Sequence, residues 1–198
     1  MIQNSESARF AAWQVSEPTS LRSFEPGRRA AEARVYDFAS VIDHSMLRAH
    51  EITNLHDRLT VMWHDSSGEL RMPGDLDDWM AHVALQHLAN FELWHIEDEA
   101  RTPDANDADL ANVKRRVDTT NQRRNDLAED LDRTLLDWLG QRQLPDPDAT
   151  LNSESPGLII DRLSILALKI YHTREEAQRK EAPPGHAERN RTRLAILE

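Results

Sequence analysis

From Leu151 to Glu176 the chain reads LNSESPGLIIDRLSILALKIYHTREE, and this stretch restricts the fold more than any other. Ser155 followed by Pro156 marks a helix start: serine accepts from an early backbone N–H, and proline at the first helical position loses no bond. At about 100° per residue, Ile159, Ile160, Leu163, Leu166, Ala167 and Ile170 form one apolar stripe, and Leu158, Ile165 and Leu168 form a second nearly opposite. A helix apolar on two sides has to be covered on both, so this segment is expected at the centre of the fold. Asp161 and His172 interrupt the second stripe, and Arg162 and Lys169 flank the first. Ionisable groups in a buried stripe need partners, which makes this helix one wall of a candidate site.

The remainder of the chain reads as helices joined by links, with no strand-like alternation of useful length. Residues 1–28 show no sustained period and are expected as a loosely packed arm. Val35, Phe38, Ile42, Leu55, Leu59 and Met62 fit one long or two short helices from about Arg29 to His64, followed by a turn at DSSGELRMPG. Asp75 is the expected cap of a helix reaching Arg101. Its inward line begins with Leu76, Met80 and Val83 and continues as His87, Asn90, Trp94, Asp98 and Arg101. A third helix is expected over about Leu110 to Leu139, ended by Gly140, with Leu110, Val113, Val117, Leu127, Leu131, Leu135 and Trp138 on one face. Thr120, Asn121 and Arg124 stand within that face, and Asp118 and Asn125 at its edge. Three helices thus turn polar along inward stripes. The expected architecture is an all-α bundle over 29–179 with a polar pocket between helices, preceded by the arm and followed by an exposed tail over 180–198 ending in a short amphipathic helix near Leu194 to Leu197.

A length of 198 residues suits one domain with a real core, and five tryptophans and a hydrophobic share of 39% set the middle of the chain apart from disordered sequences. The formal charge of -11 argues against a sequence-independent grip on nucleic acid or an anionic membrane. With no cysteine, disulfides, thiolate nucleophiles and iron–sulfur clusters are excluded, and any metal has to be held by His, Asp or Glu. No run approaches a membrane span, and the N-terminus lacks the pattern of a signal peptide, so a cytoplasmic protein is expected.

Three blocks, HLANFELWHIEDEAR at 87–101, VKRRVDTTNQRRNDL at 113–127 and LNSESPGLIIDRLSILALKIYH at 151–172, together resemble a family of bacterial proteins catalogued only as domain of unknown function 4254. The resemblance implies a helical protein with His87, Asn90, Trp94, His95, Glu97, Asp98, Arg101, Asn121, Arg124, Asn125, Asp161, Arg162, Lys169 and His172 at motif positions. It implies no reaction.

Several chemistries compete for these residues. Glu92 and His95 have the Glu-x-x-His spacing of ferritin-like di-iron bundles, but those bundles require it twice and no second copy exists. His87 and His95 lie more than two turns apart and cannot chelate one ion from a straight helix. His87, Asp98 and His172 together would suit Fe, Mn or Zn. His56-Asp57 and His64-Asp65 echo metal phosphohydrolases of the HD type. Clustered carboxylates for Mg²⁺ share their faces with basic groups. The leading expectation is an enzyme of biosynthetic metabolism acting on a polar, anionic small molecule. His87 or His172 is the proton carrier, and Asp98 or Asp161 its orienting carboxylate. Arg101, Arg124, Arg162 and Lys169 hold the anion, Asn90, Asn121 and Asn125 orient it, and Trp94 forms an apolar wall. Against this stands a plain structural use of the same groups, with Asp98–Arg124 and Asp161–Lys169 or Asp161–Arg162 as interhelical ion pairs. A third class is a non-catalytic module whose polar stripe is the interface of a homodimer.

Overall fold

The structure, a computed structural model, describes residues 48–66, 70–101, 106–144 and 148–198. The expected arm over 1–28 and the positions Val35, Phe38 and Ile42 lie outside the described residues. Five helices follow one another: α1 (Ala49–Asp65), α2 (Asp78–Glu99), α3 (Asp107–Gly140), α4 (Pro156–Gln178) and α5 (His186–Leu197), with no strand among the described residues. The fold is an all-α bundle, and among the described residues no helix is long and apolar enough to cross a membrane.

Local chemistry sets the helix ends. Ser155 caps α4 by accepting from the Leu158 amide, with Pro156 in the first turn. α2 is capped by Asp77, which accepts from the Met80 amide at 2.8 Å, rather than by Asp75, two residues earlier in the preceding turn. Asn106 starts α3 earlier than the apolar pattern indicates, by accepting from the Asp109 amide at 3.0 Å. α3 continues through Gly140, and the reversal is made instead by Gln143 at φ 58°.

α4 packs against α1, α2, α3 and α5, so it is the central helix. Its inward face is not its most apolar one. Gly157, Ile160, Asp161, Ser164, Ala167 and Leu168 are buried, whereas Leu158 and Ile159 remain 47% and 38% exposed. The reason is steric: a Cβ on Gly157 would lie 2.1 Å from the Ala128 carbonyl oxygen, so α3 and α4 cross where only glycine fits. Asp132 of α3 fastens that crossing, accepting from Ser155 Oγ at 2.5 Å and from the Gly157 amide at 2.7 Å.

The apolar core is built from Leu59 and Trp63 of α1, Trp79, Val83, Leu88 and Phe91 of α2, Leu131, Leu135 and Trp138 of α3, and Ile160 and Leu168 of α4. Residues 180–198, expected as an exposed tail, instead hold α5 against α4. His186 Nε2 lies 2.6 Å from Glu176, and Arg174 reaches Glu198 at 2.7 Å.

Candidate functional site

Two polar groupings lie inside the bundle. The first begins at Asp161 of α4, 5% exposed. Its Oδ1 accepts from Gln86 Nε2 and, at 2.9 Å, from Asn90 Nδ2, and it forms an ion pair with Arg124 Nε at 3.4 Å. Asn90 also donates to Ser164 Oγ at 2.9 Å, Ser164 lies 2.8 Å from His87 Nδ1, and His87 Nε2 lies 2.9 Å from Thr60 Oγ1. Both nitrogens of His87 are thereby engaged, and its ring is stacked between His56 and Trp63, at 4.6 and 5.3 Å. Burial pushes the pKa of His56 down to about 3, and burial followed by the neighbouring His56 holds His87 well below the ordinary imidazole range. This grouping links α1, α2, α3 and α4, while both ring nitrogens of His56, Gln86 Oε1 and Arg124 Nε are buried in it without a hydrogen bond.

The second lies in the last turns of α1 and α2. One ring nitrogen from each of His64, His95 and His172 lies within 4.8 Å of the others. The local reason is the same in α1 and α2: each imidazole turns back along its own helix, His64 Nδ1 to the Thr60 carbonyl and His95 Nδ1 to the Phe91 carbonyl, both at 2.7 Å. On α4, His172 Nδ1 lies 3.0 Å from Glu175 Oε2, one turn on. Aromatic rings enclose the cluster. Trp94 lies flat on His172, at 4.9 Å and 5°, Tyr171 stacks on His64 at 4.1 Å, and Phe91 meets His95 at 4.3 Å.

These surroundings set the charge state. Burial lowers the pKa of His64 and takes that of His95 down to about 4, although the carbonyl bond to each ring partly opposes it. Burial raises Glu175, but the hydrogen bond from His172 and the neighbouring imidazoles outweigh this and leave it below its usual value. Burial and the nearby Glu175 and Asp65 carboxylates push Tyr171 up to about 12. At neutral pH His64 and His95 are therefore uncharged bases, and the carboxylate of the group is Glu175.

The structure distributes the expected site residues unevenly. His87, Asn90, Arg124 and Asp161 come together in the first grouping, and His172 and Trp94 in the second. Asp98 does not join His87 and His172: it is exposed and bonds Arg101, three residues on, at 2.7 Å. The expected Asp98–Arg124 pair is replaced by Arg124–Asp161, and Arg162 turns outward to Glu154 rather than to Asp161. Lys169 and Asn125 are exposed and Asn121 is half-buried, so the anion-holding set is not gathered in one place. His64, Tyr171 and Glu175 were outside the expected site, as were Gln86 and Ser164. The available signal for Glu175 was its spacing of three from His172. For His64 it was its position, like that of His95, in the last turns of a helix, where a side chain reaches the end of the bundle.

A family model described as "Protein of unknown function (DUF4254)" matches residues 80–198. The match spans α2 to α5, including His95, His172 and Glu175, while α1 with His64 precedes it. No curated protein and no solved structure matches the chain. With more than half of its length covered, the chain belongs to the family of proteins of unknown function DUF4254.

Proposed function

We propose that the chain is an enzyme acting on a small polar molecule at the cluster of His64, His95 and His172. The observation that carries this reading is the approach of three imidazole nitrogens from three helices to within 4.8 Å. His64 and His95, kept uncharged by burial, retain their lone pairs at neutral pH and are poised to take up an electrophile, whether a substrate proton or a cation. His172 is the member nearest solvent, with a side chain 20% exposed beside a Glu175 that is 49% exposed. A substrate enters from that side, along the faces of Trp94 and Tyr171. Glu175 fixes the His172 ring as a carboxylate orients the base in acid–base enzymes.

The His87 grouping supports the plain structural reading. Its imidazole has no nitrogen left for a substrate, and the carboxylate of Asp161 answers amides and a guanidinium of its own chain. Of the two expected proton carriers, His87 and His172, this reading keeps His172. The alternative of a polar stripe serving as a subunit interface is weakened by the burial of Gln86, Asn90 and Asp161 inside one chain.

The test is turnover of a metabolite panel, followed by proton and phosphorus NMR, with and without added divalent metal. The reading expects at least one compound to be converted, with His172→Gln slowing conversion by about 10²- to 10⁴-fold and the surface change His50→Gln leaving it unaltered. Conversion by His172→Gln and His95→Gln at the wild-type rate would contradict it, as would a panel left untouched by the wild-type chain.

A further inference from the structure

We propose that His64, His95 and His172 are the three protein ligands of a mononuclear divalent transition-metal centre, bound through Nε2 and leaving a fourth position open. The assignment rests on reading this cluster as the reacting centre, and it names what the three lone pairs hold.

The hydrogen bonds fix which nitrogen faces the centre. A carbonyl oxygen only accepts, so Nδ1 of His64 and Nδ1 of His95 carry the protons that point to Thr60 and Phe91. A carboxylate likewise accepts, so His172 Nδ1 carries the proton that points to Glu175. In all three rings the lone pair is thus on Nε2. For His64 and His172 that atom is buried with no hydrogen bond of its own. A metal-binding histidine shows the same pattern: the outer nitrogen donates to a carbonyl or carboxylate, which fixes the tautomer and makes the inner nitrogen a better donor. Here the pattern occurs three times around one point, on three different helices.

The donor set selects the ion. Three imidazole nitrogens suit Zn²⁺ and its late first-row neighbours, whereas Mg²⁺ and Ca²⁺ require oxygen. A structural zinc site closes with four protein ligands, and three leave room for water or substrate. Ligand nitrogens around a tetrahedral zinc stand about 3.4 Å apart, so rings now within 4.8 Å close by a shift of under about 1 Å each. Trp94, Tyr171 and Phe91 exclude water from the flanks and strengthen the field of the ion inside. Glu175 is a positioning residue here: it holds His172 and places one negative charge next to the ligand shell. This set differs from the His87, Asp98 and His172 combination that the sequence pattern offered, since His87 is bonded on both sides and Asp98 faces solvent.

The experiment uses the full chain without a polyhistidine tag, stripped with a chelator and titrated with zinc against a chromophoric competitor. Cobalt is then substituted to read the ligand geometry from its visible bands. The assignment expects one zinc per chain and a low-coordinate cobalt spectrum. His95→Gln and His172→Gln weaken binding by more than about 100-fold, and Glu175→Gln by about 10- to 100-fold. His50→Gln changes neither affinity nor spectrum. His172 is partly exposed, so its variant tests the site without disturbing the core, and the wild-type titration alone requires no variant. A wild-type chain that takes up no zinc overturns the assignment, as does zinc binding at wild-type strength in both His95→Gln and His172→Gln. The two readings separate cleanly. Turnover that persists in chelator without bound metal removes the metal and keeps the enzyme, whereas stoichiometric zinc with no turnover across the panel keeps the metal and removes the enzyme.

Discussion

At Asp161 a single carboxylate oxygen serves Gln86, Asn90 and Arg124. Removing it leaves two buried amide donors without their acceptor and a guanidinium without its counter-charge, the situation in which a lost hydrogen bond costs most. Asp161→Ala is expected to lower stability by about 2–4 kcal/mol in urea unfolding. Asp161→Asn is expected to cost less, because it retains one acceptor. The buried imidazoles make stability depend on pH. The folded-state values of His56, at about 3, and His95, at about 4, lie below the unfolded imidazole value near 6.5, and His64 and His87 are lowered as well. Between those values the unfolded chain binds more protons than the folded one. Stability is therefore fully present above about pH 6.5 and falls as pH drops toward 4, each such group contributing up to about 1.4 kcal/mol per pH unit. Thermal melts should show Tm falling steadily from pH 7.5 to 5, and a flat profile would contradict the assignment of these rings as uncharged. Burial of Asp161 was legible, because a charge in an apolar stripe has to find partners. Gln86 was not, since a glutamine reads as surface until the rotation of α2 against α4 is known. His64 was legible only as part of a His-Asp pair, which lies outside the three blocks that carry the resemblance.

The helix pair α3–α4 depends on a missing side chain. Gly157 lets the Ala128 carbonyl approach to where a Cβ would stand, and Asp132 then reaches both the Ser155 hydroxyl and the Gly157 amide. Gly157→Ala forces backbone apart from backbone, and a loss of about 2–4 kcal/mol is expected, in the range of overpacked or strained core changes. Asp132→Ala, which leaves the close crossing and the Ser155 cap in place but removes the acceptor of the Ser155 hydroxyl and the Gly157 amide, is expected to cost about 1–2 kcal/mol. Equal losses in the two variants under urea would indicate that the Asp132 contacts and not the close approach govern the pair. Helix existence was read well from periodicity, and the Ser155-Pro156 start was read to the residue. The two apolar stripes of α4 were read in part: Ile160, Ala167 and Leu168 are buried, but Leu158 and Ile159 are not, for a physical reason. Hydrophobicity identifies the greasiest stripe, but the close approach of α3 selects the smallest one, so Gly157, Ser164 and Ala167 go inside while Ile159 stays half-covered. The two salt bridges from α2 to α3, Glu92–Arg123 and Glu99–Arg116, are partly exposed and add little beyond alignment.

Across the molecule, α4 contributes to both polar groupings, Asp161 and Ser164 to one and His172 to the other. The sequence foretold that several helices would turn polar at their interior. It did not show that the polar residues divide into a network centred on Asp161 and His87 and a separate cluster of imidazole nitrogens. That division depends on which helix ends meet, and His64, His95 and His172 are separated by 31 and 77 residues of chain. Binding of an ion to the folded chain alone also stabilises the whole domain. Zinc at a hundredfold excess over its Kd should add about 2.7 kcal/mol to unfolding, a gain that His172→Gln removes. The most direct measurement is an anomalous difference map from crystals grown with zinc, recorded on both sides of its absorption edge. The account predicts one strong peak bonded to Nε2 of His64, His95 and His172 at about 2.0–2.1 Å. A map with its zinc only at other positions, such as His186 and Glu176, and with the three rings unmoved, would contradict it.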